Sequence, residues 1–211
     1  MKFLVPLFLA SVCFGQQWEI GGAGGYGWYR TDTIYSSAGD AQAGIRNRFV
    51  AGFVVDEDAF EYLSGEFRYL YQDGDPYISY GGVKANVNGQ SHAIDYEVLI
   101  HVVPRNRRVR PFFAAGVGGK DYVVTGPEPY PQPLPQIATL TNQSEWKGLF
   151  TAGAGIKFQL NPYVLVRVDF RDYITKFPEQ IFIPAPHGTD RGIFNQFTPM
   201  FGISCTIPTG R

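Results

Sequence analysis

Cysteine is almost missing from this chain: the 211 residues hold two, Cys13 and Cys205. Cys13 lies in an N-terminal stretch that reads as a removable export signal, so the processed chain keeps Cys205 alone and can form no internal disulfide. Histidine occurs three times, and His92, His101 and His187 lack the close clustering of a preformed metal site. An excess of one charge is absent too, since 18 Lys and Arg face 19 Asp and Glu for a formal net charge of −1. That balance gives no general attraction to nucleic acid. Beyond the N-terminus no apolar run is long enough for a membrane helix. The longest uncharged tract near the end, 193–210, is interrupted by Asn195, Gln196, Pro199 and Pro208. Phosphate-loop chemistry is missing as well, because no helix-forming segment follows Gly21-Gly22-Ala23-Gly24-Gly25. The sequence thus predicts no catalytic residues, no cofactor and no metal.

The first fifteen residues have the parts of a secretory signal. Lys2 is the positive start, residues 3–14 are the apolar segment, and Cys13 and Gly15 are the small residues at positions −3 and −1 of a cut before Gln16. The division is therefore 1–15 signal peptide and 16–211 one domain. What the chain does have is 25 Gly, 17 Phe, 13 Tyr and 3 Trp with only 18% charged residues. Glycine and aromatics in that proportion suit a strongly curved antiparallel sheet with rings at its margins.

The informative signal is parity. Within 146–160, Lys147, Thr151, Gly153, Gly155, Lys157 and Gln159 fall at odd positions, and Phe150, Ala152, Ala154, Ile156, Phe158 and Leu160 at even ones; Leu149 is the exception. A period of two gives a strand with one apolar face and one small or charged face. The stretch 163–173 repeats it, with Val164, Val166, Val168 and Phe170 opposing Arg167, Asp169 and Arg171. Either charges occupy the place of a soluble core, or the apolar face is the outside and the surrounding solvent is lipid.

Six further stretches alternate: 17–31, 45–55, 60–72, 91–102, 111–122 and 193–207. Long connections at 32–44, 73–90, 123–145 and 174–192 alternate with short ones at 56–59, 103–110 and 161–162, which sorts long and short loops to opposite ends of an up-and-down barrel. The predicted fold is all-β, an eight-stranded antiparallel up-and-down transmembrane β-barrel, because only helices and closed barrels satisfy every backbone polar group in hydrocarbon.

Three segments then resemble the small eight-stranded outer-membrane β-barrel family, the OmpA-type transmembrane domain and its relatives. They are Arg110-Pro111-Phe112-Phe113-Ala114-Ala115-Gly116-Val117-Gly118-Gly119, the glycine-alternating Thr151-Ala152-Gly153-Ala154-Gly155-Ile156-Lys157-Phe158, and the closing Phe197-Thr198-Pro199-Met200-Phe201-Gly202-Ile203-Ser204. The resemblance implies a monomer in the bacterial outer membrane. Its partners would be outer-membrane lipids, the barrel-assembly machinery and an extracellular ligand reached through the long loops.

With the apolar faces outward, the lumen receives Arg46, Arg48, Glu66, Arg68, Asp95, Glu97, Lys147, Lys157, Arg167, Asp169 and Arg171. An eight-stranded barrel is just wide enough for side chains to fill, so these groups are expected to pair as a structural polar plug. A small gated pore, whose ion pairs rearrange, is the alternative. Trp18, Trp28, Tyr69, Tyr71, Trp146 and Tyr163 are candidates for two interfacial girdles. Arg105, Arg107, Arg108 and Arg110 form a basic turn, read as solvated or as touching lipid headgroups. The proline-rich segment 126–135 is a stiff surface loop or a ligand for an aromatic groove. The expected role is structural or surface-interacting without catalysis. A lipid A-modifying enzyme, with His101 as the best base, and a soluble lipocalin-like carrier with its apolar faces turned inward are the other readings.

Overall fold

The computed structural model describes residues 17–189 and 192–208; the expected signal peptide 1–15 lies outside them. In chain order the strands are β1 (Gln17–Tyr29), β2 (Asp32–Ser36), β3 (Gly39–Ile45), β4 (Arg48–Asp58), β5 (Leu63–Asp73), β6 (Pro76–Tyr80) and β7 (Val83–Asn86). They continue with β8 (Gly89–His101), β9 (Val109–Val124), β10 (Ala138–Leu140), β11 (Ser144–Asn161), β12 (Val164–Lys176), β13 (Phe182–Pro184) and β14 (Ile193–Pro208). No helix occurs among the described residues.

Eight of these strands close into an antiparallel barrel in the order β1-β14-β12-β11-β9-β8-β5-β4, with β4 returning to β1. Closure matters because it leaves no row of unpaired amides and carbonyls facing the surroundings. The register puts Gln17 opposite both Pro208 and Asp58, so the strand ends beside the short turns share one rim.

The wall is inverted relative to a soluble barrel. Phe49, Phe53, Tyr96, Phe113, Val117, Val168, Phe170, Phe201 and Ile203 are exposed on the outside, while Arg68, Arg167, Arg171, Glu66 and Glu97 are buried inside. A wall with that polarity is stable only where the outer medium is hydrocarbon. The lipocalin-like reading, which needs the apolar faces inside, is thereby corrected. Trp18 and Tyr163 are exposed near the short-turn rim, and Trp28 and Trp146 near the other, with Tyr69 and Tyr71 half-buried on that side. Leu149, the residue out of pattern, points inward and is buried.

The long connections are not open loops, and here the eight-strand count was incomplete. β2, β3, β6 and β7, from the first two long connections, form a four-stranded sheet; β10 and β13, from the other two, pair with each other. A bridge between Tyr35 and Thr189 ties the first connection to the last. Beneath them Ile34, Ala43, Ile78, Leu134, Ile137, Leu140, Ile181 and Phe182 pack with Phe177 and Phe194 into one apolar core. This cap sits over one mouth of the barrel. The proline-rich segment belongs to it: Leu134 is buried in its core, and Gln132 exchanges hydrogen bonds with the Leu140 backbone.

Candidate functional site

Inward parity along the barrel strands brings seven carboxylates and six cations into the lumen. Glu19, Asp56, Asp58, Glu66, Asp95, Glu97 and Asp169 face Arg68, Arg110, Lys120, Lys157, Arg167 and Arg171, each between 0% and 5% exposed. An unpaired ion in such a place costs several kcal/mol, so pairing decides whether the wall can close. The groups sort by depth into three storeys.

The middle storey is an arginine and carboxylate lattice carried by β5, β8 and β12. Glu66 accepts from Arg68 at 2.6 Å and from Arg167, and lies 3.9 Å from Arg171. Asp169 accepts from Arg167 Nε at 2.8 Å and lies 3.3 Å from Arg68 and 3.6 Å from Arg171. Glu97 holds Arg171 Nε at 2.9 Å. Phe112 gives two of these guanidiniums a ring face, 5.5 Å from Arg167 and 5.3 Å from Arg171. Glycine makes room for them: a Cβ on Gly153 would come within 2.7 Å of Arg171 Cδ, and one on Gly155 within 2.6 Å of Phe112. The glycines of β11 thus answer both the close approach of the β12 backbone, where a Cβ on Gly153 would collide with the carbonyl oxygen of Phe170, and the bulk of Arg171 and Phe112. Asp95 shares this storey, but neither of its carboxyl oxygens has a hydrogen-bond partner among the described residues.

The lower storey, toward the short turns, is centred on Lys157, whose ammonium donates to Glu19 at 2.8 Å and Asp56 at 2.9 Å. Arg110 donates to Asp58 at 2.7 Å. Glu19, Asp56 and Asp58 offer oxygens within 4.8 Å of one another, but Lys157 already matches the first two and Arg110 the third. Ser64 Oγ lies 3.1 Å from His101 Nε2, and Asp58 Oδ1 lies 3.7 Å from the same nitrogen. A hydrolytic triad needs the carboxylate on the opposite ring nitrogen from the serine. Here Nδ1 has no partner among the described residues, and the serine and histidine are buried within the charged plug.

The upper storey mixes apolar side chains with neutral polar ones, Gln72, Ser91, Thr175 and Gln196 among them. Val50, Leu70, Ala93, Leu149, Tyr173 and Met200 pack across the lumen. Lys120 is set at this level without a carboxylate in salt-bridge range among the described residues. It donates to Tyr29 OH at 2.8 Å and to Gln196 Oε1, and its ammonium lies 4.7 Å, 5.1 Å and 5.9 Å from the rings of Tyr29, Tyr122 and Tyr173. Tyrosine faces and neutral oxygens solvate this cation.

Of the eleven lumen residues expected from sequence, Glu66, Arg68, Asp95, Glu97, Lys157, Arg167, Asp169 and Arg171 lie within these storeys. Arg46, Arg48 and Lys147 do not. Arg46 is exposed and pairs with Asp75 at 3.2 Å, Arg48 bridges Asp73 at 2.7 Å and Asp75 at 2.9 Å, and Lys147 pairs with Glu145 at 2.6 Å. Parity fixes the face of a residue but not its depth, and these three fall at the cap-side rim. Sequence reading missed Glu19, Asp56, Asp58, Arg110 and Lys120. The short connections expected at 56–59 and 103–110 take in Asp56, Asp58 and Arg110, whereas β4 runs through Asp58 and β9 begins at Val109.

No protein-family model and no curated protein matches the sequence. Solved structures do. Neisserial surface protein A is 12% identical, with 90% of this chain and 98% of that one aligned at a TM-score of 0.51. The outer membrane protein OprG from Pseudomonas aeruginosa is 11% identical over 92% of this chain and 97% of its own, at 0.58. The outer membrane protein AlkL, solved by solid-state NMR in lipid bilayers, is 13% identical over 100% and 99%, at 0.50. At such identities the likeness is one of fold. The chain has the architecture of the small bacterial outer-membrane β-barrels, with a wall made for lipid.

Proposed function

We propose that this outer-membrane barrel has a structural and surface-interaction role, without catalysis. The observation that carries this reading is the division of labour along the barrel axis. Buried ion pairs line the lumen, and the four long connections fold into one dome whose apolar core continues onto Tyr29, Tyr122 and Phe194 of the barrel strands. A polar plug replaces the hydrophobic centre a soluble domain would have, and the dome becomes a stable surface for recognition outside the cell. In this arrangement the short turns face the periplasm, the molecule is a monomer held by lipid, and a surface ligand meets the cap. Tyr130, almost fully exposed within the proline-rich segment, is the foremost side chain offered there.

The test combines membrane fractionation, heat modifiability on a gel, and labelling of a Tyr130→Cys variant on intact cells with a membrane-impermeant maleimide. Recovery in the outer-membrane fraction, a mobility change on boiling, and labelling at position 130 from outside are the expected results. A soluble location with unchanged mobility overturns the membrane reading, and labelling only after the envelope is opened overturns the orientation. Replacing His101 with alanine is expected to leave the lipid A mass spectrum unaltered.

A further inference from the structure

At the short-turn rim the barrel ends in a shallow recess whose walls include Arg105, Arg107, Arg108 and Arg110 beside Glu19 and Asp58. The acids there are already matched: Asp58 by Arg110 at 2.7 Å, and Glu19 by Lys157 at 2.8 Å. Arg105 is committed to holding the turn, donating to the backbone carbonyls of Asp58 and Phe60. Subtracting these pairs leaves Arg107 and Arg108, both exposed and without a side-chain partner among the described residues. It also leaves the buried Nε–H of Arg110, which has no acceptor among them. The unspent guanidiniums of Arg107 and Arg108 thus edge one concavity, with the Arg110 side chain in its wall. Only about 20 Å³ of it is enclosed, little more than the space of one water, so a ligand would rest its charged end on the rim and keep its body outside.

We propose that this recess is an anion site for a phosphate group, presented either by a phospholipid headgroup of the inner leaflet or by a soluble phosphoester. Phosphate suits it better than a single carboxylate. The guanidinium fork pairs with two phosphoryl oxygens at once, and a further oxygen remains for a second donor. The low-dielectric barrel beneath concentrates the field of the two free charges at the mouth. Naming the face as periplasmic rests on the proposed orientation; the binding itself does not.

Arg107→Gln with Arg108→Gln is the informative variant, since neither side chain is buried or paired and the fold should survive. The full chain, folded in a zwitterionic detergent, is titrated with glycerol 3-phosphate at constant ionic strength while backbone amide NMR shifts are followed. A second arm titrates micelles doped with phosphatidylglycerol. Saturable shifts confined to 105–110 and 157–159, with an apparent Kd at least tenfold weaker in the double variant, are expected in one or both arms. The arm that responds identifies the source of the phosphate. Shifts elsewhere, shifts unchanged by the variant, or no saturable shift in either arm overturn the site. Heat modifiability of the same samples reads the barrel separately, so loss of the site is distinguishable from loss of the fold.

Discussion

Glu66 is the carboxylate on which the middle storey turns, because Arg68, Arg167 and Arg171 all approach it and none of the four is more than 1% exposed along its side chain. Changing it to glutamine keeps the shape and removes the charge. Asp169 and Glu97 then remain as the paired acids for three guanidiniums, with Asp95 nearby but unbonded. Breaking a buried pair in this way costs about 3–5 kcal/mol, and at ~1.4 kcal/mol per tenfold that is roughly two to three and a half orders of magnitude in the folding equilibrium. Urea unfolding from vesicles of fixed composition measures it, with fluorescence from Trp18, Trp28 and Trp146 reporting the wall and the gel shift reporting the barrel. Adding Arg167→Met to the Glu66→Gln variant should recover part of the loss, because the two residues share one interaction and their effects do not add. Costs below about 1 kcal/mol for each single variant, the range of solvated surface pairs, would refute the plug and mean that water reaches these ions.

Three other outcomes follow from the same geometry. Val168→Arg, on the lipid face opposite Phe201, should destabilise the folded barrel by about 2–4 kcal/mol near the bilayer midplane, and an unchanged unfolding midpoint would contradict the outward wall. Phe182→Ala should remove about 3–5 kcal/mol from the cap, seen as faster amide exchange in 138–140 and 182–184, with the barrel's gel shift retained; equal loss in both would show them to be one cooperative unit. Reconstituted into planar bilayers, the native protein should show no sustained conductance, and long openings would favour the gated-pore reading over the plug.

How much of this was legible in the sequence depended on whether a residue's neighbours in the chain are also its neighbours in space. Parity along 146–160 and 163–173 is local, and the inward and outward faces of β11 and β12 follow from it directly. Depth is not local: Arg48 has the inward parity of Asp56 yet ends at the cap rim, because tilted strands carry successive inward residues from one mouth to the other. The lower storey escaped notice because Asp56, Asp58 and Arg110 stand beside turns, where charge ordinarily signals solvent. Glu19 was hidden by a glycine-rich strand whose parity few side chains mark. The cap escaped for a related reason. Its core takes Ile34 from one connection, Ile78 from the next, Leu134 and Ile137 from the third and Phe182 from the last, and no single connection carries enough apolar residues to announce a core.

Because the dome's strands borrow their partners from different connections, its segments are not interchangeable parts. Swapping one for a foreign sequence would strip strand pairing from at least one of the others and packing from the shared core, so the exterior should diversify by point changes rather than by exchange of whole segments. The hairpin tip between β6 and β7 is an exception that engineers can use. Gly81 and Gly82 adopt φ angles of +56° and +84°, with nothing within 4 Å of where a side chain would stand. An epitope spliced in there would be displayed on a rigid platform without disturbing what supports it.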